Sequence, residues 1–308
     1  MLRGVLLKAS GSPWLKDHLM RRRFASRAVR KFMPGEHLED ALDAAANFRQ
    51  HGIGTVITQL GENVTQRSQA EGVCQHYLHA LEEVRSRGLD AEPSVKLTQL
   101  GLDVSQDLCA QLLDTIAARA DALGNYLWVD MEGSAYTDVT LELYRALRSK
   151  YRRTGVALQA YLRRSPNDLE QLLSIGATVR LVKGAYREPA DIAFQGKQHV
   201  DEAYYALATR MLRAKKDDAN SGRMIFGTHD MRLFERVVKF ASDNGIAGTA
   251  YEVHMLYGIR TNDQLRLVKE GYKVRALISY GTAWFQWYMR RLAEKPSNLW
   301  FVVRSIVG

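Results

Sequence analysis

Short apolar runs alternate with longer amphipathic stretches along most of this chain. Eight runs read as strands: 54–62 (GTVITQLGE), 94–101 (SVKLTQLG), 126–132 (YLWVDME), 155–162 (GVALQAYL), 178–186 (TVRLVKGAY), 223–230 (RMIFGTHD), 249–258 (TAYEVHMLYG) and 273–281 (KVRALISYG). Between them, apolar positions recur at helical spacing. Leu38, Ala41, Leu42, Ala45 and Phe48 form such a stripe before the first strand. Val200, Tyr204, Leu207 and Met211 repeat it after the fifth, and Leu233, Phe234, Val237, Val238 and Ala241 after the sixth. Ser165 followed by Pro166 predicts a serine-capped helix start after the fourth strand. Eight strand–helix units predict parallel strands with right-handed crossovers, which close into a distorted (β/α)8 TIM-type barrel over 54–295. Residues 1–50 then form an N-terminal helical extension and 296–308 a tail, all within a single domain. An open doubly wound sheet is the rival, but no G-x-G-x-x-G turn follows any early strand.

Charge changes the picture at one end only. The formal net charge of the 308 residues is +9. Residues 1–31 hold nine basic side chains against the single acid Asp17, while the rest is nearly balanced, with 34 bases and 33 acids. A basic stripe over the folded surface is therefore not expected, which argues against a nucleic-acid partner. Within the basic arm, Trp14, Leu15, Leu19, Met20 and Phe24 are interspersed among Lys16, Arg21, Arg22 and Arg23. Two readings stay open: a helix that covers the core, or an amphipathic contact with an anionic membrane surface. The apolar run near Met1 is too short for a signal-peptide core, and no stretch is long and apolar enough to span a membrane. Two cysteines, Cys74 and Cys109, form no disulfide framework and suit a reducing compartment.

In a barrel, chemistry sits at the C-terminal strand ends. In and around those ends lie Gln59, Glu62, Lys96, Gln99, Asp130, Glu132, Gln159, Arg180, Lys183, Thr228, His229, Asp230, Glu252 and His254. Polar groups are seldom buried in such number without a polar ligand. His229, Asp230 and His254 lack recognisable metal-ligand spacing, so no metal is expected. Lys96 and Lys183 allow a Schiff-base lyase, since a desolvated lysine attacks carbonyls. Near the C-terminus, Trp284, Phe285, Trp287 and Tyr288 precede Arg290, Arg291 and Glu294. Both arginines reach one small anion only if their helix lies across the barrel mouth, and Glu294 is spaced to brace either.

The segments VKLTQLGLD (95–103), LWVDMEGS (127–134), VALQAYLRRS (156–165), VRLVKGAYREP (179–189), FGTHD (226–230), YEVHMLYGIR (251–260) and YMRRLAEKPSN (288–298) resemble the proline dehydrogenase family. The match extends over roughly 20–308 and is nearest the stand-alone bacterial form. The resemblance implies non-covalent FAD at the strand ends, with the last helix above the flavin. It also implies oxidation of L-proline to 1-pyrroline-5-carboxylate, with electrons passed to quinone. By motif position, Asp130 and Arg180 are the expected catalytic residues. Lys96, Arg290, Arg291 and Glu294 would organise the substrate carboxylate, and Leu256 would wall the substrate. Met131, Gln159, Val182, Lys183, Gly184, Ala185, Thr228 and His229 would contact FAD. The implied localisation is cytoplasmic, with peripheral contact on the inner face of the membrane through residues 1–31. This chain departs from the pattern at three places. Leu277 stands where the family has a tyrosine, Ser279 where it has a proline, and Thr58 where it often has an aspartate. Loss of that tyrosine brings hydroxyproline, or another cyclic or N-alkyl amino acid, in beside proline as a candidate substrate.

Overall fold

The computed structural model describes residues 32–217 and 221–284. Eight strands run in parallel: β1 (Gly54–Gln59), β2 (Ala91–Val95), β3 (Leu127–Val129), β4 (Thr154–Gln159), β5 (Thr178–Val182), β6 (Met224–Gly227), β7 (Glu252–Leu256) and β8 (Lys273–Tyr280). They pair in sequence order, and β8 pairs with β1 from Gly54↔Arg275 to Gln59↔Tyr280, closing the barrel. The expected (β/α)8 barrel is therefore the observed one.

The helices follow their stripes. α1 (Leu38–Gln50) precedes β1. α2 (Arg67–Ser86), α3 (Gln106–Ala122), α4 (Thr137–Lys150), α5 (Ser165–Ser174), α6 (Lys197–Asp217), α7 (Met231–Asp243) and α8 (Thr261–Lys269) follow β1 to β7 in turn. Side-chain caps start two of them. Ser105 Oγ accepts from the Leu108 amide at 3.3 Å, and Asp230 accepts from the Leu233 amide at 3.4 Å. α1 buries Leu38, Ala41, Leu42 and Ala45 against Ile57, Ile278 and Tyr280, and so covers the outside of β1 and β8. Trp284 Nε1 donates to Glu36 Oε1 at 2.8 Å, tying the chain beyond β8 to the segment before α1.

Two expectations need correction. The second strand lies at 91–95, not 94–101. Leu97 and Leu100 continue the apolar pattern, but a turn buries them: the Leu100 amide donates to Lys96 O at 3.2 Å. Ser165 does not cap α5. It is the helix's first residue, and its hydroxyl donates to Gln159 O at 2.6 Å, so a cap-type residue here braces the end of β4.

Strand alternation sends every second side chain into the lumen. Val56, Trp128, Ile225 and Leu277 form an apolar layer there. Beneath it, at the N-terminal strand ends, Glu92, Arg223, Glu252 and Arg275 make an ionic floor. Arg223 forks onto Glu252 at 2.8 and 2.7 Å and reaches Glu92 at 2.8 Å. Arg275 reaches Glu92 at 3.1 Å and Asp90 at 2.7 Å. A buried charge left unpaired would cost several kcal/mol, so each of these residues depends on the others.

Candidate functional site

Above the apolar layer, the C-terminal strand ends gather polar side chains. Arg180, on β5, points into the lumen and is 3 % exposed. Its Nη2 bonds Asp130, just past β3, and also donates to Ser94 Oγ at 3.1 Å. Ser94 in turn donates to Asp130 Oδ1 at 2.8 Å. The guanidinium carbon lies 4.8 Å over the Trp128 ring. Burial lowers the Arg180 pKa from its ordinary value, against the opposing pull of Asp130.

The structure brings most of the predicted residues to this end. Lys96 follows β2; Asp130 and Met131 follow β3; Gln159 ends β4; Val182 ends β5, with Lys183, Gly184 and Ala185 beyond it. Thr228 and His229 follow β6, and Leu256 ends β7. Gln159 Nε2 donates to Met131 O at 3.2 Å, which joins two expected cofactor contacts. The Leu256 amide donates to His229 Nε2 at 2.8 Å, which fixes that ring. Lys183 sits between carboxylates: it pairs with Asp201 and, at 3.2 Å, with Asp230. Burial works against charge on Asp230, but Lys197 and Lys183 hold its carboxyl well below the usual range. That setting differs from the apolar pocket a Schiff-base lysine uses. Leu277 is half-buried on the lumen side of β8, in the layer with Val56, Trp128 and Ile225. Arg290, Arg291, Glu294 and the basic arm lie outside the described residues.

Two members of the predicted polar ring, Glu252 and His254, fall elsewhere, and Glu132 lies at the expected end but is tied to the β2 turn. Glu252 opens β7 and belongs to the floor, and His254 sits mid-lumen with its ring edge-on to Trp128 at 5.6 Å. Glu132 is buried; it accepts from the Thr98 amide at 3.0 Å and from its hydroxyl at 2.7 Å. Burial raises its pKa. Glu132 therefore anchors the turn after β2. A cavity of about 700 Å³ opens at the opposite, N-terminal end, lined by Arg85, Asp90, Tyr126, Arg223, Lys273 and Arg275 among others. Arg223 and Arg275 are already committed to acids there, so this cavity is the barrel floor and not the substrate site.

Buried polar atoms at the C-terminal end are open to a polar ligand. Arg180 Nη1 and Gln159 Oε1 are buried with no hydrogen-bond partner among the described residues. Groups of this kind are costly unless something completes them. Gly184 adds a backbone that can approach closely. Its φ is +115°, and a Cβ there would lie 2.2 Å from the Tyr161 ring. These donors and acceptors suit the polar ring edge of a flavin.

Fold and site together define a closed (β/α)8 barrel that gathers polar side chains at the C-terminal ends of its strands. The family model for proline dehydrogenase matches residues 41–304. Proline dehydrogenase 1 of Bacillus subtilis subsp. natto is 33% identical over 279 residues, covering 91% of this chain and 90% of that protein. Proline dehydrogenase of Deinococcus radiodurans is 33% identical over 282 residues, covering 90% and 89%. Among solved structures, proline utilization A from Bdellovibrio bacteriovorus, inactivated by N-propargylglycine, superposes with a TM-score of 0.82 at 23% identity. That match covers 89% of this chain and 33% of the larger one, so the chain spans about a third of that protein. The chain belongs to the proline dehydrogenase family, whose cofactor is FAD.

Two contributors escaped the sequence reading. Ser94 and Trp128 look like ordinary strand residues, yet each lies two positions before an expected site residue, Lys96 or Asp130. Period-two alternation would have placed them on the same lumen face.

Proposed function

We propose that this chain oxidises L-proline to 1-pyrroline-5-carboxylate with FAD and delivers the electrons to a membrane quinone. The observation that carries the site assignment is Arg180, pinned by Asp130 and Ser94, with a second guanidinium nitrogen buried and uncommitted. When bound, FAD supplies the acceptor for the hydride that leaves the carbon beside the proline nitrogen.

The protein's part is binding and orientation. Lys96, with Arg290 and Arg291, would hold the substrate carboxylate; a guanidinium fork matches that geometry. Leu256 would press on the apolar side of the ring. Arg180 would donate from Nη1 to the flavin edge where negative charge develops, with Asp130 keeping its plane and charge in place. Gln159, Val182, Lys183, Gly184, Ala185, Thr228, His229 and the Met131 backbone would form the cofactor cradle. As the C–H electron pair leaves, nitrogen shares its lone pair to form C=N. The amine must therefore be uncharged, and flavin reduction should quicken as pH rises from mildly acidic to mildly basic. Stopped-flow reduction that is flat across that range contradicts this account.

Leu277 favours a second reading of substrate choice. An apolar side chain offers no hydroxyl toward the substrate and leaves more room than tyrosine, which suits hydroxyproline or an N-alkyl amino acid. For the electron path, no helix among the described residues is long and apolar enough to cross a membrane. The basic arm, residues 1–31, is the segment we assign to peripheral contact with an anionic surface.

A further inference from the structure

We propose that Trp128 is a positioning residue for Arg180, transmitting the ionic barrel floor to the reacting face. The inference rests on the placement of Arg180 at the cofactor edge. Asp130 and Ser94 both hold the same nitrogen, Nη2. A guanidinium held at one corner can still pivot about it, which would swing Nη1 away from its target. The indole face, 4.8 Å from the guanidinium carbon, removes that freedom because a planar cation stacks on a planar ring.

The ring can serve this purpose because it is itself fixed. Its Nε1 donates to Glu92 Oε2 at 2.6 Å, while Glu92 Oε1 is held by Arg223 at 2.8 Å and Arg275 at 3.1 Å. The six-membered ring lies over β4 where residue 155 is glycine. A Cβ at that position would come within 2.5 Å of Trp128 Cζ3. The His254 ring packs against the indole, with centroids 5.6 Å apart and planes 72° apart. An aromatic side chain needed only as filler requires neither a charged partner on its N–H nor a glycine beneath it. Here both are present, and what the arrangement fixes is the direction of the buried Arg180 Nη1.

The test uses the FAD-loaded enzyme and sulfite, an anion that adds reversibly to oxidised flavin and is stabilised by a well-aimed cation beside it. Sulfite affinity is titrated by flavin bleaching, with FAD content and Tm measured in parallel. Arg180→Met should weaken sulfite binding more than tenfold. Trp128→Leu, which removes the stacking face, should weaken it about tenfold. Trp128→Phe keeps a face but loses the Glu92 bond, and should weaken it about threefold. If Arg180→Met leaves the affinity unchanged, the placement of Arg180 at the flavin fails. If Arg180→Met responds but Trp128→Leu does not, Trp128 is packing alone and the proposal fails. Equal losses in the Phe and Leu variants would contradict a role for the ring face. Should the leucine variant not fold, an unchanged sulfite affinity in Trp128→Phe overturns the proposal by itself.

Discussion

Acid should destabilise this protein through His254, by an amount the structure sets. The imidazole is 3 % exposed in mid-lumen, faced by Glu252 at 3.7 Å, by Arg180 and Arg275, and by the Trp128 edge. Burial holds its pKa down from the ordinary 6.5 to about 3; Glu252 pulls upward, and Arg180 and Arg275 push down. The unfolded chain protonates this histidine near its ordinary value, whereas the folded chain does so only near 3. Between those values the unfolded state binds one more proton, so stability falls as pH falls, by roughly 1.4 kcal/mol per pH unit. Going from pH 7 to pH 5 should cost about 2 kcal/mol from this residue alone. Burial alone would raise Glu252, but His254 and Arg223 hold its carboxyl below the usual range, so it adds a further loss below its ordinary value. The assay is urea unfolding of wild type and His254→Gln across that range. Glutamine is of similar size and never charges, so the variant should lose less stability on acidification. Identical slopes in the two proteins would show that His254 titrates normally in the fold and would refute the reasoning.

Other consequences follow from the same geometry. Leu277→Tyr should raise turnover of L-proline relative to hydroxyproline, measured as the ratio of kcat/KM values; no gain would mean that this position does not set substrate choice. Gly184→Ala forces a side chain onto a backbone at φ +115° and against the Tyr161 ring. It should lower stability by about 2–3 kcal/mol and reduce FAD retention, read by Tm and by the flavin-to-protein absorbance ratio. Deleting residues 1–23 should weaken binding to anionic liposomes while leaving flavin reduction by substrate unchanged, and unchanged sedimentation with liposomes would contradict a membrane role for the arm.

The barrel was legible because each strand's outward face is apolar against the helix shell, while short turns and capped helices separate the runs. β2 was misplaced because alternation continues past Val95 into Leu97 and Leu100, which a turn buries just as thoroughly. That Asp130 and Arg180 lie at one end of the barrel is legible because both fall at or near strand C-termini in the segments that carry the resemblance. Their supporting structure is not. Glu92 meets Arg223 across 131 positions, and Arg180 meets Ser94 across 86. Glu92, Arg223 and Ser94 each read alone as an ordinary polar residue in or beside a strand, and only closure of β1 onto β8 brings them to their partners. Glu252 was drawn into the predicted site ring for the same reason. The strand was recognised, but its direction relative to the floor depends on where it begins, and strand boundaries are the weakest part of any periodicity argument.

The central claim, an FAD-dependent imino-acid oxidation at the C-terminal face, is tested most directly by one anaerobic experiment. Purified protein is mixed with excess L-proline without an electron acceptor, and flavin absorbance is followed together with chemical detection of 1-pyrroline-5-carboxylate. The account predicts that bound FAD bleaches and one product molecule appears per flavin. A protein whose bound FAD stays oxidised in the presence of proline and of the other cyclic amino acids would contradict it.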